Sequence, residues 1–338
     1  MAGVLRFVAG RIALMILQAF LIATLVFFLM RLLPGDPSYA LAGPNPTPGR
    51  IAVIHRELAL DQPLPNQFLA YLVNLVHGNW GRSITTSSNV INDLGTRFPA
   101  TFELITASLL VTTLVTIPWA AWSAMRPRHL LARVGWAYSR LAGAVPEFWL
   151  AILLVFVFYS WARIAPAPIG RLEIVDIPPH QITGMYTVDS LLAGRLDLFV
   201  SALGHMVLPA IALALVASGI FYRQTRVGME RELRTTRVLF SRACGLTERQ
   251  ILTGALRNIL QPVLAVVGTS YAYLISGAVL IESVFSWGGL GQYAVQAIQS
   301  SDYFAISGVV LSTSFFTLLI YLLVDAVSAM LDPRVRAG

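Results

Sequence analysis

The sequence contains no lysine, so all 24 of its basic residues are arginine. A nucleotide-binding P-loop ends in Gly-Lys-Ser/Thr, whose lysine reaches the terminal phosphates. A chain without lysine does not build that cradle, so any ATP it depends on is hydrolysed by a partner. Cysteine is nearly absent: Cys244 stands alone, which excludes an intramolecular disulfide and a cysteine-based zinc cluster. The five histidines, His55, His77, His129, His180 and His205, are scattered and form no His-Glu-x-x-His helix. No Gly-x-Ser-x-Gly elbow accompanies a credible base. Charge is also scarce, at 12% of residues, whereas 56% are hydrophobic. With a mean hydropathy of +0.70, a water-soluble surface is ruled out and a membrane protein is expected.

Crossing about 30 Å of hydrocarbon at about 1.5 Å per residue takes about 20 apolar residues. Six stretches meet or approach that length: 12–30, 104–125, 141–162, 206–222, 259–281 and 303–324. The third is interrupted by Pro146 and Glu147. Pro118, Pro209 and Pro262 also fall in or at the ends of spans, where neighbouring helices satisfy the freed carbonyls. The first stretch has no small-residue cleavage site behind it and runs into Arg31-Leu32-Leu33-Pro34-Gly35-Asp36-Pro37, so it reads as a retained span.

The net charge of +7 raises the question of nucleic acid. The arginines sort by membrane side instead. With both termini cytoplasmic, sixteen arginines fall inside and eight outside, as the positive-inside rule requires. Acidic Asp36, Asp61, Asp93, Glu173, Asp176, Asp189 and Asp197 gather outside. No nucleic-acid partner is expected. Three connections are long: an outer segment 31–101, an outer loop 163–205, and a cytoplasmic segment 223–258 that reads helical. No internal repeat is visible, and residues 1–338 read as one all-α membrane domain.

The cytoplasmic segment holds the main mechanistic clue. It is arginine-rich and broken once, at Gly245, and Thr247 with Gln250 three residues on has the spacing of a capping box. Two short helices meeting at a glycine would present Leu239, Phe240, Ala243 and Leu246. Docking to a partner and resting on anionic lipid headgroups fit that pattern equally well. Inside the membrane, Glu103, Glu147 and Glu282 read as interfacial groups that cap helices or pair with arginine, since an unpaired charge there costs several kcal/mol. Glu282 and Asp325 remain candidate pore or gating residues. Asp325 is expected to pair with an arginine of a cytoplasmic loop. Gly268, Ser270, Ser276 and Gly277 suit either close helix packing or a smooth pore wall.

Ordered short motifs then add a resemblance. They are Pro34-Gly35-Asp36-Pro37, Glu57-Leu58-Ala59-Leu60-Asp61-Gln62-Pro63 with Gln67-Phe68, His77-Gly78-Asn79-Trp80-Gly81-Arg82-Ser83, Arg97-Phe98-Pro99-Ala100-Thr101-Phe102-Glu103-Leu104, and His205-Met206-Val207-Leu208-Pro209-Ala210. Gly245-Leu246-Thr247, Ala255-Leu256-Arg257-Asn258, Glu282-Ser283-Val284-Phe285-Ser286 with Gly288-Gly289-Leu290-Gly291, and Asp332-Pro333-Arg334-Val335-Arg336 complete the series. In this order the chain resembles, along nearly its whole length, the dipeptide/oligopeptide/nickel permease family of ABC importers, in its first-permease, peptide-type subgroup.

The resemblance implies a type I ABC importer permease fold and an inner-membrane pore subunit that is not itself an enzyme. It also implies a second homologous permease, two ATP-binding subunits that carry ATP and Mg, an extracytoplasmic solute-binding protein, and surrounding membrane lipid. This chain would bind no cofactor and no metal. Leu239, Phe240, Ser241, Arg242, Ala243, Cys244, Gly245, Leu246 and Thr247 would form the contact with an ATP-binding subunit. The stretch 239–245 is more apolar than the family's small and basic run, and Gln261-Pro262 replaces its usual Leu-Pro. Peptides are the expected cargo; nickel and glutathione are the alternatives within the family. A stand-alone secondary transporter would need inverted repeats and midplane ion ligands, and a non-transporting scaffold would use the arginine-rich segment alone.

Overall fold

The structure is a computed structural model that describes residues 2–32, 38, 46–57 and 60–331. The sequence motifs at 34–37, 58–59 and 332–336 lie outside the described residues. Among the described residues the regular secondary structure is helical, apart from one isolated bridge between Arg82 and Asn89.

Helix α1, Ala2–Leu32, is followed by the short helices α2, Pro48–Glu57, and α3, Leu64–Val76. Helix α4, Val90–Met125, runs through Pro99 and Pro118. Helix α5, Leu130–Leu141, breaks before α6, Glu147–Leu154, which widens into a π-helical stretch Val155–Trp161. A loop with one short helix, α7, Tyr186–Leu192, leads to α8, Leu196–Leu233. Helices α9, Thr236–Ala243, and α10, Glu248–Asn258, form a hairpin. The chain then continues through α11, Leu260–Val284, α12, Leu290–Gln299, and α13, Tyr303–Leu331.

Among the described residues five helices have the length and apolarity to cross a membrane: Val8–Leu32, Val90–Met125, Leu196–Leu233, Leu260–Val284 and Tyr303–Met330. The third expected stretch, 141–162, is the exception. Its apolar helix Glu147–Trp161 is shorter and sits after the Gly143–Pro146 break, with α5 leading into it. Proline cannot continue the helix and biases its predecessor away from it, so the break falls where Pro146 stands.

Hydropathy also understates the other spans. The run 206–222 is the middle of the 38-residue α8, and 104–125 is the second part of the 36-residue α4. The helices continue into water, where polar residues hide their extent from an apolar window. His205 and Thr101 therefore lie inside helices, and residues 223–233 prolong α8 before the hairpin begins.

The core lies where α4, α8 and α11 meet, with Leu104, Ile105, Leu213, Phe221, Leu274 and Ile281 buried together. Close approach of α5 to α8 depends on Gly135, because a Cβ there would strike the buried Tyr222 ring. The Tyr222 hydroxyl donates to Ala132 O at 3.2 Å, and Arg226 donates to the same carbonyl at 2.8 Å. Arg226 also pairs with Glu230 at 2.8 Å, so its charge is satisfied one turn along the same helix.

Candidate coupling and translocation surfaces

The hairpin α9–α10 forms because its two helices are capped from within. Helix α9 ends in a Schellman motif: Leu246 N donates to Ser241 O at 3.1 Å and Gly245 N to Arg242 O at 3.0 Å. That motif requires a left-handed residue after the helix, and Gly245 has φ +79°. A Cβ at Gly245 would meet nothing within 4 Å, so in this chain the glycine is demanded by backbone angle and not by crowding. Helix α10 starts with the expected capping box, in which Thr247 accepts from Gln250 N while Gln250 accepts from Thr247 N at 2.8 Å.

Glu232, at the end of α8, clamps the hairpin to the bundle. It pairs with Arg237 at the start of α9 and accepts from Asn258 Nδ2, at the end of α10, at 3.1 Å. Arg242 and Glu248 bridge the two arms at 3.4 Å. Val238, Ile251 and Ala255 turn inward and are buried. Ala255 joins Ala121, Ala124, Met229, Ile259 and Val263 in a small core beneath the hairpin. The opposite face is bare: Leu239 is 57% and Phe240 70% exposed, Leu246 is exposed, and so are Arg242, Ala243, Cys244 and Thr247. Ser241 is half-buried and donates to Arg237 O at 3.0 Å. Burying a large apolar side chain is worth about 1.5–3 kcal/mol. A rigid arm carrying several such groups, fixed to the ends of α8 and α11, can transmit force to both helices.

At the opposite end of the bundle, acidic side chains hold loops to helix starts. Glu103 accepts from Thr187 N at 2.7 Å and Tyr186 N at 3.3 Å, at the start of α7. Arg171 lies 3.8 Å from Glu103, stacks on the Tyr186 ring at 3.6 Å and donates to Gly184 O at 3.1 Å. Burial pulls its guanidinium below the ordinary value, and Tyr186 and Glu103 oppose that fall. Asp189 accepts from Thr183 N at 2.8 Å, Gly184 N at 2.9 Å and Ile182 N at 3.3 Å. Burial would raise its pKa, but those hydrogen bonds outweigh it and hold the carboxyl below its ordinary value.

Glu282 is fully buried. It accepts from the Thr101 hydroxyl at 2.5 Å and from Gln292 N at 3.1 Å, at the start of α12. The structure therefore uses it as a cap between α4, α11 and α12, with no pore-facing surface. Gly268 packs against Val324, where a Cβ would come within 3.0 Å, and Ser270 is buried. Both serve helix packing. Asp325 is half-buried and pairs at 3.2 Å with Arg11 of α1; its partner comes from a spanning helix and not from the expected loop. Glu147 sits at the start of α6, half-buried, with its carboxyl against Gly277 and beside Tyr273.

Of the candidate pore residues, Ser276 alone is exposed, and it belongs to a stripe. Thr269, Tyr273, Ser276 and Ser283 are exposed on α11, with Leu280 among them. The exposed large side chains along α8 include Val200, Leu203, Val207 and Ile220, and α4 shows Leu110, Val111, Leu114 and Val115. Lipid tails favour the second kind of surface, whereas hydroxyls in the membrane belong against protein or a water-lined path. Sequence reading passed over Thr269, Tyr273 and Ser283 because a helix face becomes distinguishable only once its neighbours are placed. It also passed over Asp302, although an Asp just before an apolar run is an N-cap signal.

The all-helical bundle with several spanning helices and a capped hairpin on one end defines a multi-pass membrane transport component. Residues 116–337 match the family described as binding-protein-dependent transport system inner membrane component, and residues 4–105 match the description binding-protein-dependent transport system membrane component, N-terminal. The chain belongs to that family. It is a permease subunit of the inner membrane, not an enzyme. It is 37% identical over 318 residues to the probable D,D-dipeptide transport system permease protein of Escherichia coli (strain K12), covering 94% of this chain and 93% of that one. It is 34% identical over 339 residues to the di/tripeptide transport system permease protein of Pseudomonas aeruginosa (strain UCBPP-PA14), covering 98% and 99%. With the dipeptide transport system permease protein of Escherichia coli (strain K12) the identity is 32% over 337 residues, again covering 98% and 99%.

Proposed function

We propose that this chain is the peptide-translocating permease of an ATP-driven importer, a single membrane domain over 1–338 with both termini cytoplasmic. The relatives' names supply the cargo class: each of the three is a permease for dipeptides or short peptides. A second, homologous permease would complete the pore, with the α11 stripe at Thr269, Tyr273 and Ser276 facing the path between them. A solute-binding protein would deliver cargo to the surface held by Glu103, Asp189 and Glu282. Two ATP-binding subunits, carrying ATP and Mg, would grip the α9–α10 hairpin.

The observation that carries this reading is the hairpin's bare apolar face, at Leu239, Phe240 and Leu246, on a frame fixed by Glu232. An exposed apolar patch on a rigid support is an interaction surface. Gentle extraction of the tagged chain tests it: an ATPase should co-purify, and Phe240→Asp should lower its recovery at least tenfold at unchanged membrane level. Peptide uptake that continues with the ATPase genes deleted would remove the proposal and favour a stand-alone transporter.

A further inference from the structure

A cavity of about 440 Å³ lies between α1, α3 and α13, at the end of the bundle opposite the hairpin. Its walls divide by chemistry. Phe27, Leu75, Phe304 and Leu311 line an apolar part, while Arg31, Tyr71, Asn74, Asn79 and Arg82 line a polar part. Two arginines reach it, and among the described residues no carboxylate lines it.

Arg31 is held in place before anything binds. The Gln67 amide donates to Gln62 O at 2.7 Å and Leu60 O at 3.1 Å, which turns its oxygen towards Arg31. Arg31 donates Nε to that oxygen at 3.0 Å and also contacts it through Nη2, with its guanidinium 3.6 Å above the Phe27 ring. The oxygen it meets is a neutral amide. A guanidinium has five N–H donors, and those bonds leave others unspent. The titratable group beside it is Tyr71, whose hydroxyl is buried and without a hydrogen-bond partner among the described residues. Burial pushes that phenol up to about 12, so it stays protonated and able to donate. A buried hydroxyl left without an acceptor costs about 1–3 kcal/mol.

An anion with an acyl chain satisfies every part of this arrangement. We propose that the cavity is a phospholipid site, with the phosphodiester received by Arg31 and Tyr71 and one acyl chain along Phe27, Phe304 and Leu311. Arg31 occupies the last turn of the apolar α1, the level at which a headgroup meets hydrocarbon. Fork-shaped guanidinium donors match phosphate oxygens, and the volume suits a headgroup with the start of one chain. A bound lipid would join α1 and α3 to α13, fixing the outermost span to the rest of the bundle.

Native mass spectrometry of the full chain in mild detergent tests the site. One phospholipid should persist per chain after detergent exchange, and both Arg31→Gln and Tyr71→Phe should lower its occupancy at least fivefold. Arg50→Gln, on the exposed α2 and outside the cavity, should leave occupancy unchanged. After delipidation, phosphatidylglycerol should raise the unfolding temperature of the wild-type chain and not that of Tyr71→Phe. Equal lipid retention in the wild type and Tyr71→Phe overturns the proposal, even where Arg31→Gln does not survive extraction. Inorganic phosphate that restores stability as well as phosphatidylglycerol overturns the lipid assignment, leaving a free-anion site.

Discussion

The Asp302 carboxylate accepts from the Ser83 hydroxyl at 2.6 Å, joining residues 219 positions apart. The same carboxylate takes Ile84 N at 2.7 Å and Thr85 N at 3.1 Å, and its other oxygen caps α13 through Ala305 N at 3.1 Å. It is fully buried. One side chain thus ends the α12–α13 turn and fastens the 81–85 segment to it.

Replacing that carboxylate with an amide puts an NH2 against donors. Asp302→Asn should cost about 1.5–3 kcal/mol, the range for hydrogen bonds to a charged group. Ser83→Ala removes one donor and should cost less. Thermal unfolding in detergent measures both, and a midpoint for Asp302→Asn equal to that of the wild type would show that the bonds do not hold the segment.

Gly245 offers a separation of folding from coupling. Its φ of +79° strains any β-branched residue, yet no atom stands within 4 Å of a Cβ. The strain of about 1–2 kcal/mol would be confined to the hairpin turn. Gly245→Val should reach the membrane at normal levels while uptake falls at least tenfold and ATP hydrolysis by the assembled transporter loses its dependence on cargo. Uptake at the wild-type rate would detach the turn from coupling.

The polar stripe on α11 predicts a difference between two faces. Ser276→Trp should block translocation, because the new ring projects from the hydroxyl-bearing face. Val207→Trp, on the apolar face of α8, should be tolerated. Peptide uptake in membranes with matched protein levels decides the comparison, and equal uptake in the two variants would mean that the stripe does not line the path.

Asp189 gives a pH dependence with a defined sign. Its carboxyl is held below the ordinary 3.8 in the folded loop, so the folded state binds the proton less readily than the unfolded one. Its stabilisation is fully present above that ordinary value and is lost as pH falls through the lower folded value. Limited proteolysis of the 163–195 loop should therefore show protection that is flat from pH 7 to about 5 and falls away below about 4. Asp189→Asn should be less protected at neutral pH and should lose that acid step. An acid step of the same size in Asp189→Asn would place its origin in another group.

Much of this protein is legible in its composition and spacing. Scarce charge, apolar runs of membrane length and the sidedness of arginine set the class, since hydrocarbon admits no other chain so readily. Gly245, Thr247 and Gln250 announce a capped hairpin because caps are local, satisfied by residues three to five positions away. Missing lysine alone removes the P-loop. Tertiary structure decided the rest. The interior place of Glu282, the Arg11 partner of Asp325 and the burial of Gly268 and Ser270 depend on which helices approach one another. So does the cavity at Arg31. The ends of α4 and α8 escaped the apolar pattern because they leave the membrane and turn polar while remaining helical. A sequence records which side chains need partners; only the folded bundle determines which ones meet, because those partners lie up to 314 residues away, as Arg11 and Asp325 do.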